Sequence, residues 1–390
     1  MASIEVTHAQ LCSVIEKARE KSVSVFVEGA PGIGKSETIW KKEREQAKKL
    51  NREFRDWRSF TLEDKEKLVE DKEFLSRFYI VADFRGATMS ETDLIGFPDF
   101  TKSRDYVEFR PRLIGAIFSK PEARGCLLLD ELNQAPKNVQ NSMFQVVLDR
   151  AIGDLKMNDN ILVIGAGNRV EDRATITELS GPMASRMIIV TLRIPTADEV
   201  IDYNLNSSSP NPVVCGFLKA YRDQVYTFQQ NSKDKGFGCP RSIQRLSLLM
   251  DGEPMNTEKE MQWIGLLSKA SCGEVWGTKF LAYANMARKV DVDEILKNPE
   301  LVKQHIGQLD VKYSIISTIA YRCKENFKDT MEPALKVFNY LDDESGVFGL
   351  RVVKQYVGDA KLKGHLKKSD VWDKHLAPKF ANLLGFSDEE

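Results

Sequence analysis

The chain has 390 residues, 42% of them hydrophobic and 29% charged, enough to bury one substantial core and at least one smaller one. Its 56 Lys and Arg nearly balance 57 Asp and Glu, so a net charge of -1 excludes the globally basic surface that advertises nucleic-acid binding. The six cysteines are scattered with no CxxC pair or metal spacing, and no run reaches the ~20 apolar residues of a membrane span.

In chain order, Val6 to Glu20 has the spacing of an amphipathic helix, with Leu11, Val14, Ile15 and Ala18 on one side. The strand-like run Val23 to Val27 then enters Gly29-Ala30-Pro31-Gly32-Ile33-Gly34-Lys35-Ser36, a GxxxxGKS loop that opens a helix. Its glycines let successive N–H groups turn inward on a phosphate, and the helix dipole adds positive potential. Gly29 to Glu37 is thus the expected ATP-binding segment, with Lys35 reaching the β- and γ-phosphates and Ser36 ligating Mg²⁺. A dinucleotide site does not fit, because the GxGxxG spacing and its downstream acid do not line up.

The stretch from Glu37 to Arg58 reads as a helix so charged that its distal part stands clear of the core. Thr61 or Ser59 caps a fresh helix, so residues 41–77 are expected to form a solvated helical insertion. A nucleic-acid arm is the alternative there, against which acids and bases alternate. Phe78 to Phe84 alternates as a second strand. Arg112 to Phe118 is a short helix, and Cys126-Leu127-Leu128-Leu129-Asp130 is the uninterrupted apolar run of a central strand covered on both faces. Val139 to Leu148 is helical and Gly153 sits in a tight turn; Ile161 to Ala166 and Met187 to Leu192 are the remaining strands. Five strands alternating with helices predict a mostly parallel α/β sheet. Beyond Pro195 the pattern is helical, with stretches at 242–250, 258–267 and 277–286 and further apolar segments after Pro299.

Asp130-Glu131 ends the apolar strand, where an α/β sheet presents ligands at its carboxyl edge. Asp130 would orient Mg²⁺ with Ser36, and Glu131 would align the attacking water. Asn168, after the strand ending at Ala166, reads either as a turn asparagine or as an amide that hydrogen-bonds water or the γ-phosphate. Arg169, Arg173, Arg186, Arg241 and Arg245 read either as solvated surface residues or as groups that stabilise charge on a transferred phosphoryl.

These motifs occur in an order that resembles the AAA+ ATPases of the MoxR-like group, related to the dynein- and midasin-type modules, over roughly residues 5–265. Gly29 to Ser36 corresponds to Walker A, and Leu127 to Pro136, continuing through Val139 to Met143, to Walker B and its extension. Asp93-Leu94-Ile95-Gly96 resembles the loop after the second strand, and residues 148–156 the hairpin inserted before sensor 1. The resemblance implies that Asn168 is sensor 1 and that Arg186 is an arginine finger acting on a neighbouring subunit, here followed by Met187 where the family usually has an aromatic. It implies Arg241 as sensor 2, with Arg245 one helical turn on as the reserve.

The resemblance also implies a homo-oligomer in the form of a hexameric ring that remodels a partner, such as a protein bearing a von Willebrand factor A domain. The expected architecture is a P-loop α/β core over 1–195, an all-helical lid over 196–298, and a C-terminal helical region over 299–390 as a partner surface. The expected activity is Mg²⁺-dependent ATP hydrolysis in a cytoplasmic protein without membrane insertion. Two alternatives remain: a nucleic-acid motor or loader, revealed by salt-sensitive DNA or RNA stimulation, and a non-hydrolysing nucleotide-gated module, which has less need of Glu131.

Overall fold

A seven-stranded parallel sheet organises the N-terminal half of the chain. The computed structural model describes residues 4–101, 108–110, 112–169, 172, 179 and 181–384. The chain separates into two compact units, Met1–Ile194 and Pro195–Glu390. The first begins with β1 (Glu5–Val6), α1 (His8–Glu20), β2 (Ser24–Gly29) and α2 (Lys35–Lys49). It continues through β3 (Glu53–Asp56), α3 (Leu62–Glu70), α4 (Lys72–Ser76) and β4 (Phe78–Arg85). Next come α5 (Thr92–Ile95), the hairpin of β5 (Phe97–Asp99) and β6 (Glu108–Arg110), α6 (Leu113–Phe118), β7 (Gly125–Asp130) and α7 (Lys137–Asp149). The unit closes with the small hairpin β8 (Ala151–Ile152) and β9 (Leu155–Lys156), then β10 (Ile161–Gly167), α8 (Gly181–Ala184) and β11 (Met187–Leu192).

The sheet order is β1-β11-β2-β10-β7-β4-β3, with every neighbouring pair parallel. The five expected strands are β2, β4, β7, β10 and β11, and the edges β1 and β3 extend them. Cys126, Leu127, Leu128 and Leu129 of β7 are buried on both faces, which a parallel strand between helical layers requires. On one face Phe26, Phe84, Leu127, Leu129 and Val163 join Ile114 of α6 and Met143 of α7 in a single apolar cluster. Helices α1 and α2 lie against β2, β11, β4 and β7, with Leu11, Ile15 and Ile39 buried.

Residues 41–77 depart from the expected solvated helical insertion. Helix α2 stays packed to its end, β3 pairs in parallel with β4, and Trp57, Phe60, Leu68 and Leu75 enter the apolar cluster. The charged sequence of α2 concealed this because its buried charge is neutralised internally. Glu43 is fully buried, ion-paired to Arg19, and accepts a hydrogen bond from Tyr79 Oη at 2.5 Å. Burial pushes the Glu43 carboxyl upward, against the opposing pull of Arg19. Thr61 does cap α3, in a reciprocal box with Asp64.

The second unit is wholly helical among its described residues. It comprises α9 (Ala197–Leu205), α10 (Pro212–Ala220), α11 (Pro240–Leu249), α12 (Glu258–Cys272), α13 (Glu274–Lys289) and α14 (Val292–Lys297). It continues with α15 (Leu309–Glu325), α16 (Phe327–Tyr340), α17 (Asp343–Val357), α18 (Asp359–Leu366) and α19 (Ala377–Leu384). Helices expected on either side of residue 298 share this one unit, since α10 and α13 both pack on α15. Gly216 makes the close approach: a Cβ there would lie 2.4 Å from Ser317 Oγ, whose hydroxyl donates to Pro212 O at 2.8 Å.

Candidate nucleotide-binding site

The buried strand β2 delivers the chain to the carboxyl edge of the sheet at Gly29, where a Cβ would lie only 2.9 Å from Leu192 O on β11. Two turns of the loop need left-handed backbone, supplied by Gly32 at φ 77° and Gly34 at φ 95°. Gly34 is the N-cap of α2 and makes no side-chain cap hydrogen bond, and the positive end of the helix dipole at this first turn suits an anion. Glu37 lies in that turn, but its exposed carboxylate pairs with Arg44 at 3.4 Å.

Lys35 is buried, and its Nζ donates to Gly29 O at 2.6 Å, Ala30 O at 2.9 Å and Asn168 Oδ1 at 3.0 Å. The last contact follows from sheet order. Strand β10 lies between β2 and β7, with Ile164 opposite both Val25 and Leu128, so Asn168 emerges between the loop and the acidic strand end. Ser36 Oγ donates to Asp130 Oδ2 at 2.9 Å, and Glu131 N donates to Asp130 Oδ1 at 2.9 Å. Neighbouring oxygens in an octahedral shell of Mg²⁺ at 2.0–2.1 Å are about 2.9 Å apart, so the Ser36 hydroxyl and Asp130 carboxylate fit that cation in spacing and in donor hardness.

Glu131 occupies a left-handed turn, φ 54° and ψ 32°, uncommon for a residue with a side chain. Gly86, just after β4, permits it: a Cβ there would lie 2.8 Å from Ala135 Cβ and 2.9 Å from Glu131 O. Asn133, read in the sequence only as part of the strand's extension, is buried and donates from Nδ2 to Asn168 O at 2.7 Å. It therefore anchors the amide that faces Lys35. Gly167, immediately before Asn168, leaves the room, since a Cβ there would come within 2.3 Å of Asn133 Oδ1. A glycine inside an otherwise apolar strand is the signal that marks such an approach.

Asp83 on β4 is a second acid that the sequence did not single out. Its Oδ1 is buried without a hydrogen-bond partner, while Oδ2 faces Arg58 at 3.4 Å and Arg85 at 3.8 Å. Burial and the nearby Asp130 push its carboxyl up from the ordinary range. The arginines divide differently. Arg169 forms a two-pronged pair with Asp172, both contacts at 2.9 Å, and Arg173 lies outside the described residues. Arg186 is exposed beyond α8, with Nη1 donating to Pro182 O at 3.2 Å. Arg241 and Arg245 are exposed on α11 of the second unit.

No protein-family model and no curated protein matches the chain. Among solved structures, a RuvB mutant of Thermotoga maritima aligns at 17% identity over 74% of each chain, with a TM-score of 0.36. Cdc6p from Pyrobaculum aerophilum aligns at 13% identity over 82% of this chain and 79% of that one, also at 0.36. NtrX from Brucella abortus in complex with ADP aligns at 14% identity over 97% of this chain and 68% of that one, at 0.35. Similarity at these scores carries no argument, so the functional reading rests on the geometry of the loop and the acidic strand.

Proposed function

We propose that the chain is an ATPase of the AAA+ type, with a MoxR-like character, that hydrolyses ATP in an oligomeric ring and uses the energy to remodel a partner protein. The observation that carries this reading is the meeting of three strand ends at one carboxyl edge. Lys35, after β2, donates to Asn168, after β10, at 3.0 Å, and the adjacent Ser36 donates to Asp130, at the end of β7, at 2.9 Å. A phosphate loop alone implies binding; the acidic strand end beside it supplies what hydrolysis needs.

The loop N–H groups and Lys35 would hold the β- and γ-phosphates, and Ser36 with Asp130 would hold Mg²⁺, which when bound neutralises charge between the phosphates. Glu131, next to Asp130, would orient the attacking water and accept its proton. Asn168, anchored by Asn133, would fix the same water or the γ-phosphate. Exposure of Arg186 suits a finger that reaches a neighbouring subunit, and the family resemblance of its motif supports the sensor 2 role for Arg241. A hexameric ring and a partner bearing a von Willebrand factor A domain are the finer parts of this proposal, supported by the family resemblance of the motifs.

The test is Glu131→Gln. The variant should still bind ATP while steady-state turnover falls by about 10²- to 10⁴-fold, the usual contribution of a positioned base. Turnover equal to that of the unchanged chain would remove Glu131 from this role.

A further inference from the structure

Strand β1 and helix α1 bring one more side chain to the phosphate loop. Val6 lies opposite Leu192, and Leu192 lies opposite Gly29, so the chain leaves β1 at the same edge where β2 enters the loop. Thr7 fixes the turn there. Its hydroxyl accepts from Gln10 N at 3.1 Å and its N–H donates to Gln10 Oε1 at 2.9 Å, a reciprocal cap that starts α1 at His8. The half-buried His8 ring then places Nε2 2.9 Å from Ile33 O. It also lies 3.5 Å from where a Cβ on Gly34 would sit.

Ile33 O lies outside the hydrogen-bond ladder of α2, in which Gly34 O accepts from Thr38 N at 2.9 Å. A carbonyl can only accept, so Nε2 carries the hydrogen in the contact with His8. In a trans peptide the C=O and the following N–H point in opposite directions. Holding Ile33 O toward α1 therefore turns the Gly34 N–H away from α1. Glycine at φ 95° imposes little preference of its own, so an external contact is needed to fix this peptide.

We propose that His8 is a positioning residue for nucleotide binding: it locks the Ile33–Gly34 peptide so that the Gly34 N–H is presented to a nucleoside di- or triphosphate. The proposal rests on the loop being the phosphate site, and it concerns how that site is held in shape before the ligand arrives. His8 acts through the backbone and does not touch the reacting atoms.

The experiment is an ADP titration of the full chain and of His8→Ala, His8→Phe and His8→Gln, together with thermal unfolding of each without nucleotide. Phe keeps a ring but no donor; Gln keeps an N–H donor on a flexible stem. Ala and Phe should each raise the ADP Kd about fivefold, the worth of one neutral hydrogen bond, and Gln should recover most of the affinity. Unfolding temperatures of Ala and Phe should fall by no more than about 6 °C, the most that loss of one hydrogen bond takes from a unit of this size. Unchanged ADP affinity in Ala and Phe overturns the proposal, as does a loss that Gln leaves unrecovered or a larger fall in unfolding temperature, which would mark a purely structural role. Failure of the unchanged chain to bind ADP would refute the phosphate-site reading itself.

Discussion

Replacing Gly167 by Ala should damage both the stability of β10 and the chemistry at its end. The added Cβ would lie 2.3 Å from Asn133 Oδ1, 2.7 Å from Asn133 Cγ and 2.9 Å from Phe26 Cζ, all well inside van der Waals contact. Asn133 must turn away, breaking its 2.7 Å bond to Asn168 O. Overpacking in a core costs about 1–3 kcal/mol, and leaving a buried polar group unpaired costs about 1–3 kcal/mol more. The sum of about 2–6 kcal/mol, at about 2–4 °C per kcal/mol for a unit of this size, lowers its unfolding temperature by at least about 4 °C. Hydrogen exchange at the β10 amides reports this strand apart from the second unit. Turnover should fall between about tenfold and a hundredfold, because Asn168 loses its anchor beside Lys35. In the double variant with Asn133→Ala the main clash is gone, so the two effects must be less than additive. Strict additivity, or a Gly167→Ala protein with unchanged exchange and turnover, would refute the steric account.

Gly86→Ala should lower turnover more than nucleotide affinity, because its Cβ would press on Glu131 O and Ala135 Cβ and move the base without touching the phosphate loop; a titration beside a turnover assay checks the split. Arg186→Ala should abolish assembly-dependent hydrolysis, and mixing it with Glu131→Gln subunits should restore part of it; no recovery would count against action in trans. Glu16 titrates at about 2, below its ordinary 4.5, chiefly through hydrogen bonds from Lys49 and Lys42. A carboxyl lowered in the folded state contributes stability above the unfolded value and loses it as pH falls through the folded one. Glu16→Gln should therefore be less stable than the unchanged chain at neutral pH, with the gap closing between pH 4.5 and about 2 in denaturant titrations. A gap independent of pH would refute the ion-pair origin.

Residue order alone made the phosphate loop legible, because the glycine spacing and the following lysine and serine are local requirements of one turn. It also determined the central strand of β7 and its acidic end, since four successive apolar residues can be buried only between two layers. How these pieces meet depends on long-range packing. Sheet order comes from pairings between residues far apart in the chain, and it is β10, standing between β2 and β7, that brings Asn168 to Lys35. The same holds for Asn133 and Gly86, whose roles exist through contacts with Asn168 and with the Glu131 turn. Residues 41–77 show the reverse case. Their charge pattern points to solvent, yet Glu43 is buried because Arg19 and Tyr79, distant in sequence, satisfy it. Local chemistry is written residue by residue, whereas the partner of a buried charge or amide is chosen by the fold.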